Sequence, residues 1–194
     1  MASVWYKEVY EGLKTEIQTS VYYVDETVPS YKVLDDKQVT VRKPEEDLKF
    51  EKYPCVSLYI TETNRDLIRY DPNLVPVRTN SNNHMIVMEE PHQPYTLTCQ
   101  IDFWAKYQED MEEMIKTWLE KHFRQFNLEV SDDNSKKTTC NCLQKGDIVK
   151  SDLVNGKERL FHSIIILEIW VELDFETRYN KPMVDSVAIN VATE

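Results

Sequence analysis

The residues of this 194-residue chain that could do acid–base or metal chemistry are scattered rather than gathered into motifs. The four histidines are His84, His92, His122 and His162, and none belongs to an HExxH pair or to another close metal-binding spacing. His122 falls on the apolar side of a predicted helix, so we expect a buried, hydrogen-bonded residue rather than a ligand. His84 and His92 flank the proposed loop arm at 85–88 and are expected to be solvated.

The four cysteines favour structural thiols over a metal site. Cys55 and Cys99 lie in alternating apolar runs, where cysteine behaves as a small buried hydrophobic residue. Cys140 and Cys142 fall in what we interpret as a polar loop, without zinc-knuckle spacing and without a histidine at a ligand interval after them. A catalytic cysteine–histidine pair stays open, because such pairs are distant in sequence. Free thiols fit a reducing cytosol.

Carboxylates occur in three clusters that could in principle do acid–base work or bind a hard cation. Glu45–Asp47 and Asp132–Asp133 lie in polar loops without EF-hand spacing. Glu109–Glu113 opens a predicted helix, where the helix dipole favours acidic residues. The chain has only three glycines and can form neither GxGxxG nor a phosphate-binding P-loop, and GxSxG is absent. We therefore predict no catalytic, metal-binding or cofactor-binding residues.

The charge balance bears on the class of partner. Thirty-four acidic and 23 basic side chains give a formal net charge of -11, which argues against a general nucleic-acid binder. The surface is either simply a solvated acidic one or one that repels an anion such as DNA. The longest apolar run, Ile164–Leu167, is far too short to span a membrane, and the start of the sequence lacks the apolar region of a signal peptide. We expect an intracellular protein with no membrane partner.

Hydrophobic periodicity predicts a single α+β domain over 1–194, with a mixed or antiparallel sheet and helices packed on one face. Trp5, Val9, Leu13 and Ile17 recur every fourth residue and indicate a helix that begins after Ser3. Residues 54–60 and 95–103 alternate like half-buried strands, and residues 20–24 could start another. The second strand leads into a helix whose apolar residues continue to Phe126.

Two further segments are predicted to form strands near the end of the chain. Asn155-Gly156 is a strong hairpin signal between arms at 147–154 and 157–175. Beyond it, residues 176–194 form a β-prone C-terminal extension. This extension could complete the sheet of its own chain or add a strand to a neighbouring subunit.

Several apolar residues are candidates for contacts with other subunits. Residues 64–94 hold four of the eight prolines and read as a long protruding loop or hairpin with arms at 67–70 and 85–88. Trp104 and Trp170 lie on the less apolar faces of the two best strands, in either a second packed layer or a subunit interface. The complete set of candidate interface residues is Tyr70, Leu74, Val75, Met85, Val87, Trp104, Trp170, Val184, Val187 and Ile189.

The order of these elements resembles that of a known family. An N-terminal helix precedes the Tyr53-Pro54 strand, and Pro94–Lys106 is a strand that runs straight into an amphipathic helix. This arrangement resembles the tail terminator and tail completion proteins of tailed bacteriophages, also called head–tail joining or neck proteins. The resemblance covers residues 1–173, and the 64–94 segment and the residues after Arg178 depart from it.

The resemblance implies a structural role without catalysis or cofactor. It implies a homohexameric ring that ends the tail tube and contacts the tube protein, the head connector or adaptor and, in contractile tails, the sheath. DNA would pass through the ring without specific binding, and the subunit would reside in the virion neck after assembly in the host cytoplasm. The alternatives are a sheath-stabilising or head-completion adaptor protein of the neck and, from another class, a small intracellular enzyme.

Overall fold

In the computed structural model of the chain, the described residues are 6–24, 30–41, 52–68, 75–80, 85–89, 93–131, 137–155, 158–173 and 178–182. The elements in chain order are α1 (Tyr6–Ser20), β1 (Tyr22–Val24), β2 (Tyr31–Val33), β3 (Val39–Val41), β4 (Cys55–Arg65), β5 (Val75–Asn80), β6 (Met85–Glu89), β7 (Gln93–Ala105), α2 (Gln108–Lys121), β8 (Gln125–Ser131), β9 (Lys137–Asn155), β10 (Glu158–Leu173) and β11 (Arg178–Pro182). The chain divides into two units, residues 1–65 with 95–171 and residues 66–94 with 172–194. The predicted α+β class is confirmed.

The first unit contains a six-stranded mixed sheet in the order β3-β4-β7-β10-β9-β8. β3 runs parallel to β4, whereas β4 and β7, β9 and β10, and β8 and β9 pair antiparallel. β1 and β2 form a separate antiparallel ribbon. The long β9–β10 hairpin confirms that the two predicted arms pair, although β9 begins at Lys137 rather than at Asp147, and Asn155 pairs with Glu158 at its end.

One hydrophobic cluster joins both helices to one face of this sheet. Val9, Leu13 and Ile17 of α1 are buried at the predicted four-residue spacing. The sheet contributes every second residue of β7, with Leu97, Cys99, Ile101 and Phe103 fully buried. Trp118 of α2 is also fully buried and meets Phe103 edge-on, with ring centroids 6.3 Å apart. The periodicity of the sequence thus determines which faces meet in the core.

The structure corrects two boundaries. Cys140 and Cys142 belong to β9 rather than to a polar loop, and both are buried while Asn141 between them is exposed. The second helix ends at Lys121 instead of continuing to Phe126. Arg124 adopts a left-handed conformation with φ of 66°, which ends the helical path and lets β8 begin at Gln125.

Two glycines have specific backbone roles in the first unit. A Cβ at Gly12 of α1 would lie 2.9 Å from the carbonyl oxygen of Glu129 in β8, so the helix approaches the strand backbone as closely as a bare Cα allows. Gly146 has φ of +70° and lies where the β9–β10 register shifts between Ile164 and Ile166. Glycine adopts this conformation without strain, which favours a bulge at this point of the hairpin.

The second unit is a three-stranded antiparallel sheet in the order β11-β6-β5. β6 pairs with β5 on one side, so its partner there is Val75–Asn80 rather than the predicted arm at 67–70, of which Arg69 and Tyr70 lie outside the described residues. Leu67 and Ile68 lie in a turn instead. On its other side β6 pairs with β11, which places residues 178–182 of the C-terminal extension in the sheet of their own chain.

Candidate functional site

The predicted interface residues of the second unit fall partly on its strands. Val87 of β6 lies opposite Arg78 of β5 and Asn180 of β11, and Met85 lies opposite Asn80 and Pro182. Val75 begins β5, opposite Glu89. For these residues the structure gives strand positions only. Tyr70, Leu74, Val184, Val187 and Ile189 lie outside the described residues.

The two tryptophans proposed for an interface differ in exposure. Trp104 is only 4% exposed and stacks on His162, with ring centroids 3.8 Å apart and planes 11° from parallel. This position matches the alternative of a second packed layer within the chain and leaves little of the ring for a neighbouring subunit. Trp170 is half-buried and donates a 3.2 Å hydrogen bond from Nε1 to Oε1 of Glu168.

A histidine–carboxylate pair that the sequence did not reveal lies on the sheet face opposite the main core. Nε2 of His162 lies 2.8 Å from Oδ1 of Asp102, which is 1% exposed. Gln100 donates to the same oxygen over 2.8 Å and accepts a 2.7 Å hydrogen bond from the Tyr59 hydroxyl. This network ties β4, β7 and β10 together. A histidine–carboxylate pair can move protons, but burial keeps Asp102 from direct contact with a substrate in this conformation.

A second histidine pair joins the two helices. Nε2 of His122 lies 2.9 Å from Oε1 of Glu16, and the Nζ of Lys121 lies 2.8 Å from the same oxygen. Burial lowers the pKa of His122 below its usual value despite the attraction of Glu16. Burial alone would raise the pKa of Glu16, but hydrogen bonds from Lys121, His122 and Ser20 bring it below its usual value. The prediction of a buried, bonded His122 is confirmed.

Three of the four cysteines, Cys55, Cys99 and Cys142, are not activated for nucleophilic chemistry. All four are free thiols and buried, which confirms the interpretation of Cys55 and Cys99. Burial raises the pKa of Cys99 to about 12 and that of Cys55 and Cys142 still higher. Because the thiolate is the reactive form, these three thiols have almost none of it at neutral pH.

Among the residues that the structure describes, no three His, Cys, Asp or Glu side chains come close enough together to hold a metal ion. None of the described helices is long and apolar enough to cross a membrane.

A shallow apolar groove runs along the outer side of α2. Ile115, Leu119 and Phe123 line it at four-residue spacing, with Glu112, Lys116 and Glu120 beside them. The Phe123 ring is 66% exposed, although it is a large apolar side chain. Lys116 is paired with Glu113 over 3.3 Å. Two carboxylates and one ammonium group thus line the groove, and the Arg124 guanidinium lies 5.2 Å from the centroid of the Phe123 ring, so the charges around the groove are mixed.

The β1–β2 ribbon beside α2 presents a second apolar face. Tyr22 pairs with Val33 and Val24 pairs with Tyr31, so these four side chains share one face of the ribbon. They are between 36% and 65% exposed. The Tyr22 amide donates a 3.2 Å hydrogen bond to Oγ1 of Thr117, which anchors the ribbon to the helix.

The second unit exposes two aliphatic residues at a turn that begins residues 66–94. Leu67 is 72% exposed and Ile68 is 97% exposed. The carboxylate of Asp66 accepts a 3.0 Å hydrogen bond from the Ile68 amide and shapes the turn. In sequence, Arg65 and Asp66 precede the apolar pair and Arg69 follows it, so charges of both signs flank the pair.

No protein-family model matches the chain, and a search of curated proteins gives no significant match.

Proposed function

We propose that this chain is a non-enzymatic structural subunit of the neck of a tailed bacteriophage. In this proposal about six copies form a ring that ends the tail tube and joins the tail to the head connector. DNA passes through the lumen without specific binding, and the ring forms in the host cytoplasm and stays in the virion.

The order of elements supports this proposal. α1 precedes β4, which directly follows the Tyr53-Pro54 pair. β7 then leads into α2 with only two residues between them, as in the strand–helix unit on which the family resemblance depends. The resemblance thus agrees with the observed element order as well as with the sequence pattern.

The observation that carries the proposal is that the described residues expose apolar surfaces that differ from one another, besides the β1–β2 ribbon. One is the groove of α2, and the other is the turn at Leu67 and Ile68. A closed ring uses a heterologous interface, in which one surface of each subunit meets a different surface of the next. Exposed apolar side chains that cluster on a folded protein commonly mark interaction sites.

The net charge of -11 supports a lumen through which DNA passes without being bound. Proteins hold DNA through lysine and arginine contacts to phosphates, with counterion release as the driving force. A ring whose inner surface is acidic lacks those contacts, so the duplex passes through without being held.

The native mass of the purified chain tests the ring. Light scattering at two concentrations should give a mass near six times 23.0 kDa at the higher one, and negative-stain images should show a central channel. A monomer at every concentration up to about 1 mM would contradict the ring. The dissociation constant of the subunit contact would then be above about 1 mM, which is too weak for a useful assembly contact. An open filament would contradict closure.

DNA binding tests the second part of the proposal. At about 0.1 M salt, duplex DNA should show no mobility shift with the assembled ring. An acidic surface offers no lysine or arginine contacts that would release counterions from the DNA phosphates. A salt-dependent shift in the micromolar range would contradict passage without binding and would direct attention to a nucleic-acid-binding role.

A further inference from the structure

We infer that two copies of this chain pair through α2, with the two helices antiparallel about a two-fold axis and each groove filled by the helix of the other copy. The inference goes beyond the proposed function and does not rest on the ring. A copy whose groove holds a second helix cannot offer that groove to a neighbour in a ring. The pair is therefore the form of the chain outside the ring, in which the apolar groove is covered.

The apolar part of the contact combines a recess with a side chain that fills it. Ile115 lines one end of the groove and is only 6% exposed, whereas the Phe123 ring lines the other end and is 66% exposed. Leu119 lies halfway between them in sequence. A two-fold axis near Leu119 therefore brings Phe123 of each copy to Ile115 of the other, so the match occurs twice in one interface.

A row of alternating charges borders the apolar stripe. Glu112, Lys116 and Glu120 follow one another at four-residue spacing, so they lie on the same side of the helix, and all three are exposed. The Arg124 guanidinium lies 5.2 Å from the centroid of the Phe123 ring, which extends the row at the end of the groove. Along the row the signs are negative, positive, negative and positive.

This alternation determines how a second copy fits. About a two-fold axis the row of one helix meets the same row of the other helix in reverse order. Glu112 then faces Arg124 of the second copy, and Lys116 faces its Glu120, so every charge of the row meets an opposite one. Two parallel helices in register would instead place like charges together. Charges that flank an apolar seam set the orientation of paired helices in this way.

Contacts within each copy leave the charges of the row available. Lys116 lies 3.3 Å from Glu113 of its own helix. Glu112 accepts a 2.7 Å hydrogen bond from Gln108. Exposed pairs of this kind contribute little to stability, so these groups can take partners from a second copy. The exposed face of the β1–β2 ribbon has no comparable pattern, because it carries tyrosine and valine side chains only.

Charge reversal in separate variants tests the pairing. Lys116→Glu and Glu120→Lys should each raise the dissociation constant of the dimer about tenfold in analytical ultracentrifugation, because each creates like-charge pairs. An equimolar mixture of the two variants should dimerise to within about threefold of the wild type, because the mixed dimer again pairs opposite charges. Neither variant regains a charge pair within its own helix in the mixture, so the recovery reports contact between copies.

Lys137→Glu is the matched control for the charge reversals. Lys137 is an exposed lysine that pairs with Glu129 over 3.0 Å outside α2, so its reversal should leave the dissociation constant unchanged. If the mixture dimerises no better than the separate variants, the row does not pair with itself and the inference is overturned. The same conclusion follows if the control weakens the dimer as much as the α2 variants do.

Disulfide cross-linking tests the orientation and still applies if a charge variant fails to fold. Glu112→Cys and Arg124→Cys place thiols at exposed positions, whereas the four native cysteines are buried. Under mild oxidation, a mixture of the two variants should give linked dimer at about tenfold the yield of either variant alone. In the antiparallel pair the two copies of residue 112 lie about 18 Å apart along the helices, too far for a disulfide. Linked dimer from Glu112→Cys alone would indicate parallel helices and overturn the inference, and so would equal yields.

The outcomes separate this inference from the proposed ring. A ring of about six copies without the 112–124 link and without an effect of the charge variants would overturn the pair and leave the ring standing. A mass that stays at twice 23.0 kDa, together with the link, would support the pair and contradict the ring. A monomer at every concentration up to about 1 mM would contradict both.

Discussion

Gly12 offers the sharpest test of the packing between α1 and β8. In an isolated helix, Gly12→Ala would add about 0.5–1 kcal/mol of stability, because alanine loses less backbone entropy. In this protein the new Cβ would stand 2.9 Å from the carbonyl oxygen of Glu129, about half an ångström inside ordinary contact. That oxygen belongs to the backbone of a paired strand and cannot rotate away. Such overpacking typically costs about 1–3 kcal/mol, so the steric loss should exceed the helical gain.

We therefore expect Gly12→Ala to lower the free energy of unfolding by about 1–2 kcal/mol, measured by urea denaturation. In a domain of this size the melting temperature should fall by about 2–8 °C. Thr15→Ala is the matched control, because it raises helix propensity at an exposed position of the same helix and should leave stability equal or slightly higher. If Gly12→Ala is as stable as the wild type or more so, the helix does not approach β8 as closely as described.

Three further changes test the core, the helix junction and the C-terminal extension. Trp118→Ala should lower the free energy of unfolding in urea by about 3–5 kcal/mol, because the ring is fully buried against Phe103 and Phe126. Trp118→Phe should cost less. An unchanged melting temperature of Trp118→Ala would refute the place of Trp118 in the core. Because the pKa of His122 is lowered in the folded protein, the unfolded chain binds the proton first, and stability should fall as the pH drops from 7 to 5. His122→Gln should reduce this loss of stability between pH 7 and 5. If the free energy of unfolding changes equally with pH in both proteins, His122 is not the cause of the loss. Deletion of residues 183–194 retains β11. The shortened protein should have an unchanged circular dichroism spectrum but assemble more weakly. Loss of folded protein would instead indicate that the deleted residues belong to the core.

The sequence by itself determined the elements in which local pattern and burial agree. Two-residue alternation over 95–103 places Leu97, Cys99 and Ile101 on one face, and they are fully buried as that pattern predicts. Four-residue spacing does the same for α1. Neither prediction needs knowledge of a distant residue, because each element repeats its own apolar side chains at the period of its backbone.

The local sequence pattern predicts the wrong structure where polar neighbours obscure the hydrophobic periodicity or where the backbone departs from it. Cys140 and Cys142 are surrounded by Thr, Asn and Lys, so the segment looked like a loop although its alternation is that of a strand. At the end of α2, Phe126 continued the helical spacing, but the left-handed backbone of Arg124 interrupts it. An unusual φ angle at one residue cannot be inferred from the composition or the spacing of the sequence.

The tertiary structure alone decided the polar clusters and the exposed surfaces. His162 meets Asp102 across 60 positions of sequence, because β10 lies beside β7 in the sheet. His122 meets Glu16 across 106 positions, because α1 and α2 pack on the same core. The exposure of Ile68 and Phe123 likewise depends on what the rest of the fold leaves uncovered. Strand order and helix placement are properties of long-range packing, so residue types and local spacing do not contain them.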